Sequence, residues 1–139
     1  MNPEAPTAAE LEQHPVVQAA FAAACADSLV DDPVQRHEEG GFIYANQTGD
    51  VIVRRVLPGS RWLLDLSFPP PVPGYFVVAT YHTHPTPIAD GGNPDPSPDD
   101  RQYADDSGVP WFVISELGTF VVGPERRVGG LAGPGGYPQ

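Results

Sequence analysis

Two histidines stand two residues apart, His82 and His84, at the end of a stretch with the composition of a β-strand. Side chains on a strand alternate between its faces, so residues two apart project the same way and both imidazoles can approach one ion without backbone distortion. Pro85 follows at once and ends the strand, because proline has no N–H for a ladder. Asp100, in Ser97-Pro98-Asp99-Asp100, is a carboxylate that can return to the same place after the intervening loop; Asp90, Asp95 and Asp99 stay open as substitutes. Two histidines and one carboxylate make the three protein ligands of a catalytic zinc site, which keeps a fourth position open. The same set would accept other divalent metals. Each half also has a plainer reading, since a His-x-His pair can be merely polar at a strand end and Ser97-Pro98 is a good helix start in its own right.

The elements that must position these residues can be read from spacing. Pro15 suits the first turn of a helix, and Val17, Ala20, Phe21, Ala24 and Ser28 then form one face that should lie against a sheet. Gly41 to Asn46 and Val51 to Arg55 flank a glycine-containing turn and predict a hairpin. Trp62, Leu64, Leu66 and Phe68 alternate with polar neighbours and predict a half-buried strand, closed by Pro69 to Pro73. From Tyr75 to His84 the even-numbered Phe76, Val78, Thr80, His82 and His84 are expected on one face, with Tyr81 and Thr83 packing on the other. Residues 85–96 read as a loop, Ser97 to about Asp106 as a short helix, and Gly108 to Ser115 and Gly118 to Val122 as two more strands. Trp62, Trp111, Phe112 and Phe76 read as core, and His14 and His37 as surface residues.

Composition narrows the class. A chain of 139 residues fits one domain with a single core, and we expect a flexible segment at 1–13, the folded domain at 14–125 and a Gly/Pro-rich flexible tail at 126–139. The net charge of −11 argues against nucleic acid or an anionic membrane as partner, because both are held by clustered Lys and Arg. A neutral or basic protein partner suits it better. The single cysteine, Cys25, allows no internal disulfide. With no basic residue before Arg36 and no long apolar run, the reading is of a cytoplasmic protein, or of an effector domain if it was cut from a longer exported chain.

His82-Thr83-His84-Pro85 followed by Ser97-Pro98-Asp99-Asp100 resembles the H-x-H-P…S-x-x-D signature of the JAMM (MPN/JAB) metallopeptidases. That family also carries an upstream E-x-x-G before apolar residues, which Glu38-Glu39-Gly40-Gly41-Phe42-Ile43 resembles, with Glu38 in the first position. The likeness runs from about Glu38 to Val122. Within the clan, Glu38 to Tyr44 and Val78 to His84 are similar to a bacterial domain of uncharacterised function found at the ends of polymorphic toxin-like proteins. The loop at 85–96 is longer than the family's usual gap, which would reshape a substrate groove.

The resemblance implies an α/β fold of the MPN type, a single domain with a curved mixed sheet, a long N-terminal helix and a short helix beside the metal. It implies Zn2+ on His82, His84 and Asp100, with Glu38 as the general base that takes a proton from water and Ser97 as a donor to the oxyanion; Glu39 is the competitor for the base. The activity implied is hydrolysis of a peptide or isopeptide bond in a protein substrate, such as a ubiquitin-like or sulfur-carrier protein. An extended substrate segment would then pair with a strand edge near His82. Two other readings belong beside it: a toxin or effector protease, paired with an immunity protein, and a catalytically inert MPN-type binding scaffold.

Overall fold

The computed structural model describes residues 3–138. Along the chain come α1 (Ala8–Glu12), α2 (Pro15–Asp27), β1 (Gly40–Asn46), β2 (Val51–Arg55), β3 (Tyr75–Thr83), a 3-10 turn (Ile88–Asp90), α3 (Pro98–Ser107), β4 (Trp111–Ser115) and β5 (Gly118–Val122). The five strands form one mixed sheet in the order β2-β1-β3-β4-β5. Among the described residues only β3 and β4 run parallel, with Thr80 opposite Trp111 and Thr83 opposite Ile114. A parallel pair cannot be joined by a tight turn, so the chain leaves the end of β3, crosses one face as α3 and returns. That crossover brings the first turn of α3 back to the end of β3.

The two faces are covered differently. On one, α2 lays Val17, Phe21 and Ala24 against Ile43, Ala79, Tyr81, Phe112 and Ile114. Pro15 opens this helix, as the sequence predicts, and His14 caps it, its ring nitrogen accepting from the Val16 N–H. On the other face α3 supplies little apolar surface beyond Ala104, and Phe42, Tyr44, Val77, Val109, Trp111 and Val122 are covered in part by Leu66 and Tyr137 from irregular segments.

Three sequence expectations give way. First, β3 does not keep its even-numbered residues on one face. Ile43 pairs with Ala79 but Tyr44 with Val77, so Val78 is an extra residue, a β-bulge. Phe76 and Val78 therefore join Ala79 and Tyr81 on the α2 face, while Thr80 and His82 lie opposite. Second, residues 62–68 are not a strand. Leu66 is buried, but Trp62 is 62% and Phe68 86% exposed. Prolines stand at 58 and from 69 onward and interrupt extension at both ends, and the segment lies over the cleft face, where Leu66 packs on the sheet, instead of adding to the outer edge of β2 or β5. His82's own strand offers no open edge: β1 and β4 flank it.

Third, both ends pack where flexible segments are expected at 1–13 and 126–139. Thr7 and Glu10 form a capping box that opens α1, Leu11 is 1% exposed, and the Ala8 N–H donates to the Glu125 carbonyl. At the other end β4 leaves the first half of β3 uncovered, and the tail fills that edge. The Val77 N–H donates to Gly135 O at 2.8 Å, and Arg127 Nη1 donates to Val77 O at 2.9 Å. Gly129 and Gly130, both at positive φ, turn the chain round the buried guanidinium, so that the carbonyls of Gly130 and Pro134 also accept from it. An unpaired stretch of central strand is costly, and this satisfies it. Among the described residues no helix is long and apolar enough to cross a membrane.

Candidate metal centre

The site lies where the end of β3 meets the start of α3. Because the bulge precedes Thr80, His82 and His84 keep their common direction. Their Nε2 atoms are 3.3 Å apart. Asp100 faces both, with Oδ1 at 3.1 Å from His82 Nε2 and Oδ2 at 3.2 Å from His84 Nε2. One ligand atom from each of the three lies within 4.8 Å of the others, and the group could hold a metal ion. Asp100 is the carboxylate the fold delivers. Asp90 instead pairs with Arg36 at 2.8 Å, Asp95 is exposed outside the group, and Asp99 points into the neighbouring cleft.

The donor set fits a cation. His84 Nδ1 lies 3.0 Å from the Asn93 carbonyl, which can only accept, so that nitrogen carries the proton and neutral His84 turns its Nε2 lone pair toward Asp100 and His82. Two imidazole nitrogens and a carboxylate aimed at one point repel unless positive charge, a proton or a metal, sits among them. Burial alone would raise the Asp100 carboxyl, but the hydrogen bonds from His82 and His84 outweigh it and hold it well below the usual carboxylate range. For His84 burial opposes the charged form, and the Asp100 carboxylate overrides it, so its pKa is raised.

Ser97 and Asp100 form a capping box. The Asp100 N–H donates to Ser97 Oγ at 3.0 Å, and the Ser97 N–H donates to Asp100 Oδ2 at 2.8 Å. The plain helix-start reading and the ligand reading are thus both satisfied by the same carboxylate. Ser97 Oγ serves as an acceptor and its hydrogen is left to donate at the cleft it lines.

Two glutamates adjoin each other just before β1 and part company. Glu38, 5% exposed, turns into the cleft with the histidines; Glu39, 4% exposed, turns to the α2 side. Glu39 meets Arg55 Nε at 3.0 Å and His37 Nε2 at 2.8 Å. Glu38 has no such cation: burial pushes its carboxyl up to about 8, with His84 opposing and Asp100 adding to the rise. Its backbone is pinned, the N–H donating to Ser60 O and the carbonyl accepting from the Gly59 N–H. Gly40 follows because nothing larger fits: a Cβ there would lie 2.1 Å from Tyr81 O and 2.8 Å from His82 Cα. The Glu-x-Gly pattern therefore sets the close approach of β1 to the histidine strand. Behind the histidines, Thr83 Oγ1 accepts from the Glu39 N–H at 3.0 Å and pairs with Ser28 Oγ at 2.7 Å, tying β3 to the end of α2.

A cleft of about 770 Å³ opens over the group. Its wall includes Trp62 and Leu64 from the irregular 62–68 segment and Tyr103 from α3, none of which the sequence reading assigned to a site. Trp62 belongs to this lip and not to the core. Tyr103 was legible in principle, because Asp99, Tyr103 and Asp106 recur at helical spacing; Asn93 was not, because it acts through a backbone carbonyl.

What fold and site define together is a small α/β domain, three helices on a five-stranded mixed sheet, with a His-His-Asp group able to hold a metal ion at the mouth of a cleft. Comparison with protein-family models, with curated proteins and with solved structures finds no match.

Proposed function

We propose that the protein is a zinc-dependent amide hydrolase of the JAMM (MPN/JAB) type that cuts a peptide or isopeptide bond in a protein substrate. The observation that carries this reading is the meeting of a buried, cation-free Glu38 with the His82-His84-Asp100 group in one cleft. Burying a carboxyl without a cation partner disfavours its ionised form and pushes its proton affinity up, which a scaffold has no use for and a group that takes up and returns a proton does.

Zinc, when bound by His82, His84 and Asp100, supplies a Lewis acid that polarises a carbonyl and brings the pKa of water to roughly 7. The chain's own groups do the rest. Glu38 accepts the proton from the attacking water and returns it to the leaving amine, a role that suits a carboxyl tuned toward neutrality. Ser97 donates its hydroxyl hydrogen to the developing oxyanion. The Asn93 carbonyl fixes the His84 ring, and the Ser97 N–H fixes Asp100.

The test is metal per chain by elemental analysis of tag-free protein supplied with zinc, together with the release of new amino termini from a peptide mixture. About one zinc per chain is expected, lost in His82→Ala and Asp100→Ala and kept in Glu38→Gln, which should not turn over. A parent that stays free of metal would sink the hydrolase reading.

A further inference from the structure

We propose that the cleft takes a peptide segment in which a Lys or Arg side chain stands next to a bulky apolar one, close to the bond to be cut. This rests on the hydrolase reading for the cutting, and on the cleft itself for the choice of occupant.

One wall is a single face of α3. Asp99, Tyr103 and Asp106, at i, i+4 and i+7, all line the cleft, and all three are exposed. An aromatic platform stands between the acids: the Tyr103 and Trp111 rings are 6.0 Å apart, and Trp111 lies 6.1 Å from the His82 ring. Trp111 is buried and Tyr103 is the ring open to a ligand; extended chain advances about 3.3 Å per residue, so a side chain on Tyr103 belongs to a residue within roughly four positions of the bond held at the metal ligands. The opposite wall is the 62–68 segment, with Trp62 62% exposed, Leu64 half-buried and Asp65 exposed among them.

The charge of the cleft is one-sided. Apart from Glu38 and Asp100, its carboxylates are Asp65, Asp99 and Asp106, against a single guanidinium, Arg61. Arg61 donates to the Pro33 carbonyl and so is held toward the preceding loop. Neither Asp65, which accepts from the Ser67 N–H, nor Asp106, which accepts from Gln102, has a cation in hydrogen-bond reach. A negative rim over aromatic faces is complementary to one kind of side chain, a long aliphatic stem with a cationic end. Its stem lies on the rings, its charge meets both the ring faces and the acids, and the neighbouring apolar residue covers Trp62 and Leu64. A cleft focuses such a field more than an open surface does, which favours basic segments in the encounter as well. An acidic or purely polar segment would meet like charge and leave the apolar wall wet.

Binding can be read without turnover, in Glu38→Gln with zinc supplied, by the fluorescence anisotropy of three labelled peptides. One carries Leu-Arg-Trp-Arg between Gly-Ser ends, the second has Glu for both arginines, and the third has Ser for Leu and Trp. The first should bind at least about tenfold tighter than either of the others at low salt. Asp65→Asn/Asp106→Asn should cut its advantage over the acidic peptide by about fivefold, and Trp62→Ser its advantage over the serine peptide by a similar factor. Equal affinities, no binding of any peptide up to about 1 mM, or preferences unchanged in these variants would each overturn the proposal. Metal content and turnover of the parent protein are measured separately, so loss of the hydrolase reading and loss of this one are told apart.

Discussion

Glu38 and Glu39 are consecutive, both glutamates and both buried, yet they lie on opposite faces of the sheet and meet opposite surroundings. On the α2 face Glu39 is neutralised by Arg55 and His37, beside a dry core in which Phe21 packs on Tyr81 and Phe112 with ring centroids 5.4 and 5.2 Å away. On the cleft face Glu38 is given no cation, the covering segments are irregular, and large apolar side chains are left in the open. Of the two glutamates, the α2 face gives Glu39 two cationic partners and the cleft face gives Glu38 none. On the proposed hydrolase reading, stability and chemistry are separated across a single sheet, with a period-two switch at residues 38 and 39 deciding which carboxylate serves which.

The sharpest way to break this comparison is to exchange the two acids' fates. Glu38→Gln should lower turnover by about 10²- to 10⁴-fold with zinc content unchanged, the usual range for losing a general base. Glu39→Gln should leave turnover intact and cost about 1–2 kcal/mol in urea unfolding. That is below the figure for a fully buried pair because Arg55 is 30% exposed and keeps Asp27 at 2.6 Å. If Glu39→Gln abolished turnover and Glu38→Gln did not, the assignment of faces would be wrong. Next in size is the packing contrast. Phe21→Ala should cost roughly 3–5 kcal/mol, whereas Trp62→Ser on the cleft lip should stay within about 0.5 kcal/mol by the same unfolding measurement.

How far the sequence reveals this division depends on what alternation can report. Periodicity shows which side chains could share a face, and on that basis α2, the β1–β2 hairpin and the direction shared by His82 and His84 are all legible. It does not show whether a strand has a partner, so the alternation of Trp62 to Phe68 reads as a strand although the segment pairs with none of the five. Nor does it show an added residue: Val78 inverts the first half of β3, placing Phe76 opposite to its expected face, and only its position before Thr80 spares the histidines. The spacing of Glu38 and Gly41 is visible in sequence, but the reason for glycine at 40 and 41, a Cβ that would press on Tyr81 O or Arg54 O, is a property of paired strands. The tail is not legible because glycine and proline content signals turns, and turns wrapped round a buried arginine look in sequence like a flexible end.

That tail sharpens the comparison further, since it does for the open half of β3 what α2 does for the other face. Arg127→Met should cost about 3 kcal/mol, because several buried carbonyls lose their donor at once while the volume is nearly kept. The loss should appear as a lower urea midpoint with metal content unchanged.

The smallest effect tests whether the tail also shapes the cleft. Tyr137 donates its hydroxyl to Leu66 O at 2.6 Å, packs its ring on Phe42 at 6.0 Å and lines the cleft, so it is the strut between the tail and the wall that carries Trp62 and Leu64. Removing one hydrogen bond to a main-chain carbonyl is worth about 1 kcal/mol, and Tyr137→Phe should lose that much in unfolding while keeping the ring contact. If the strut is only structural, KM for a cleaved peptide should not move. If it holds the wall against the substrate, KM should rise a few-fold with kcat nearly constant, because binding common to ground and transition states is what a loosened wall forfeits. A fall in kcat alone would place the 62–68 segment in the chemistry, and would end the separation of stability from catalysis drawn at Glu38 and Glu39.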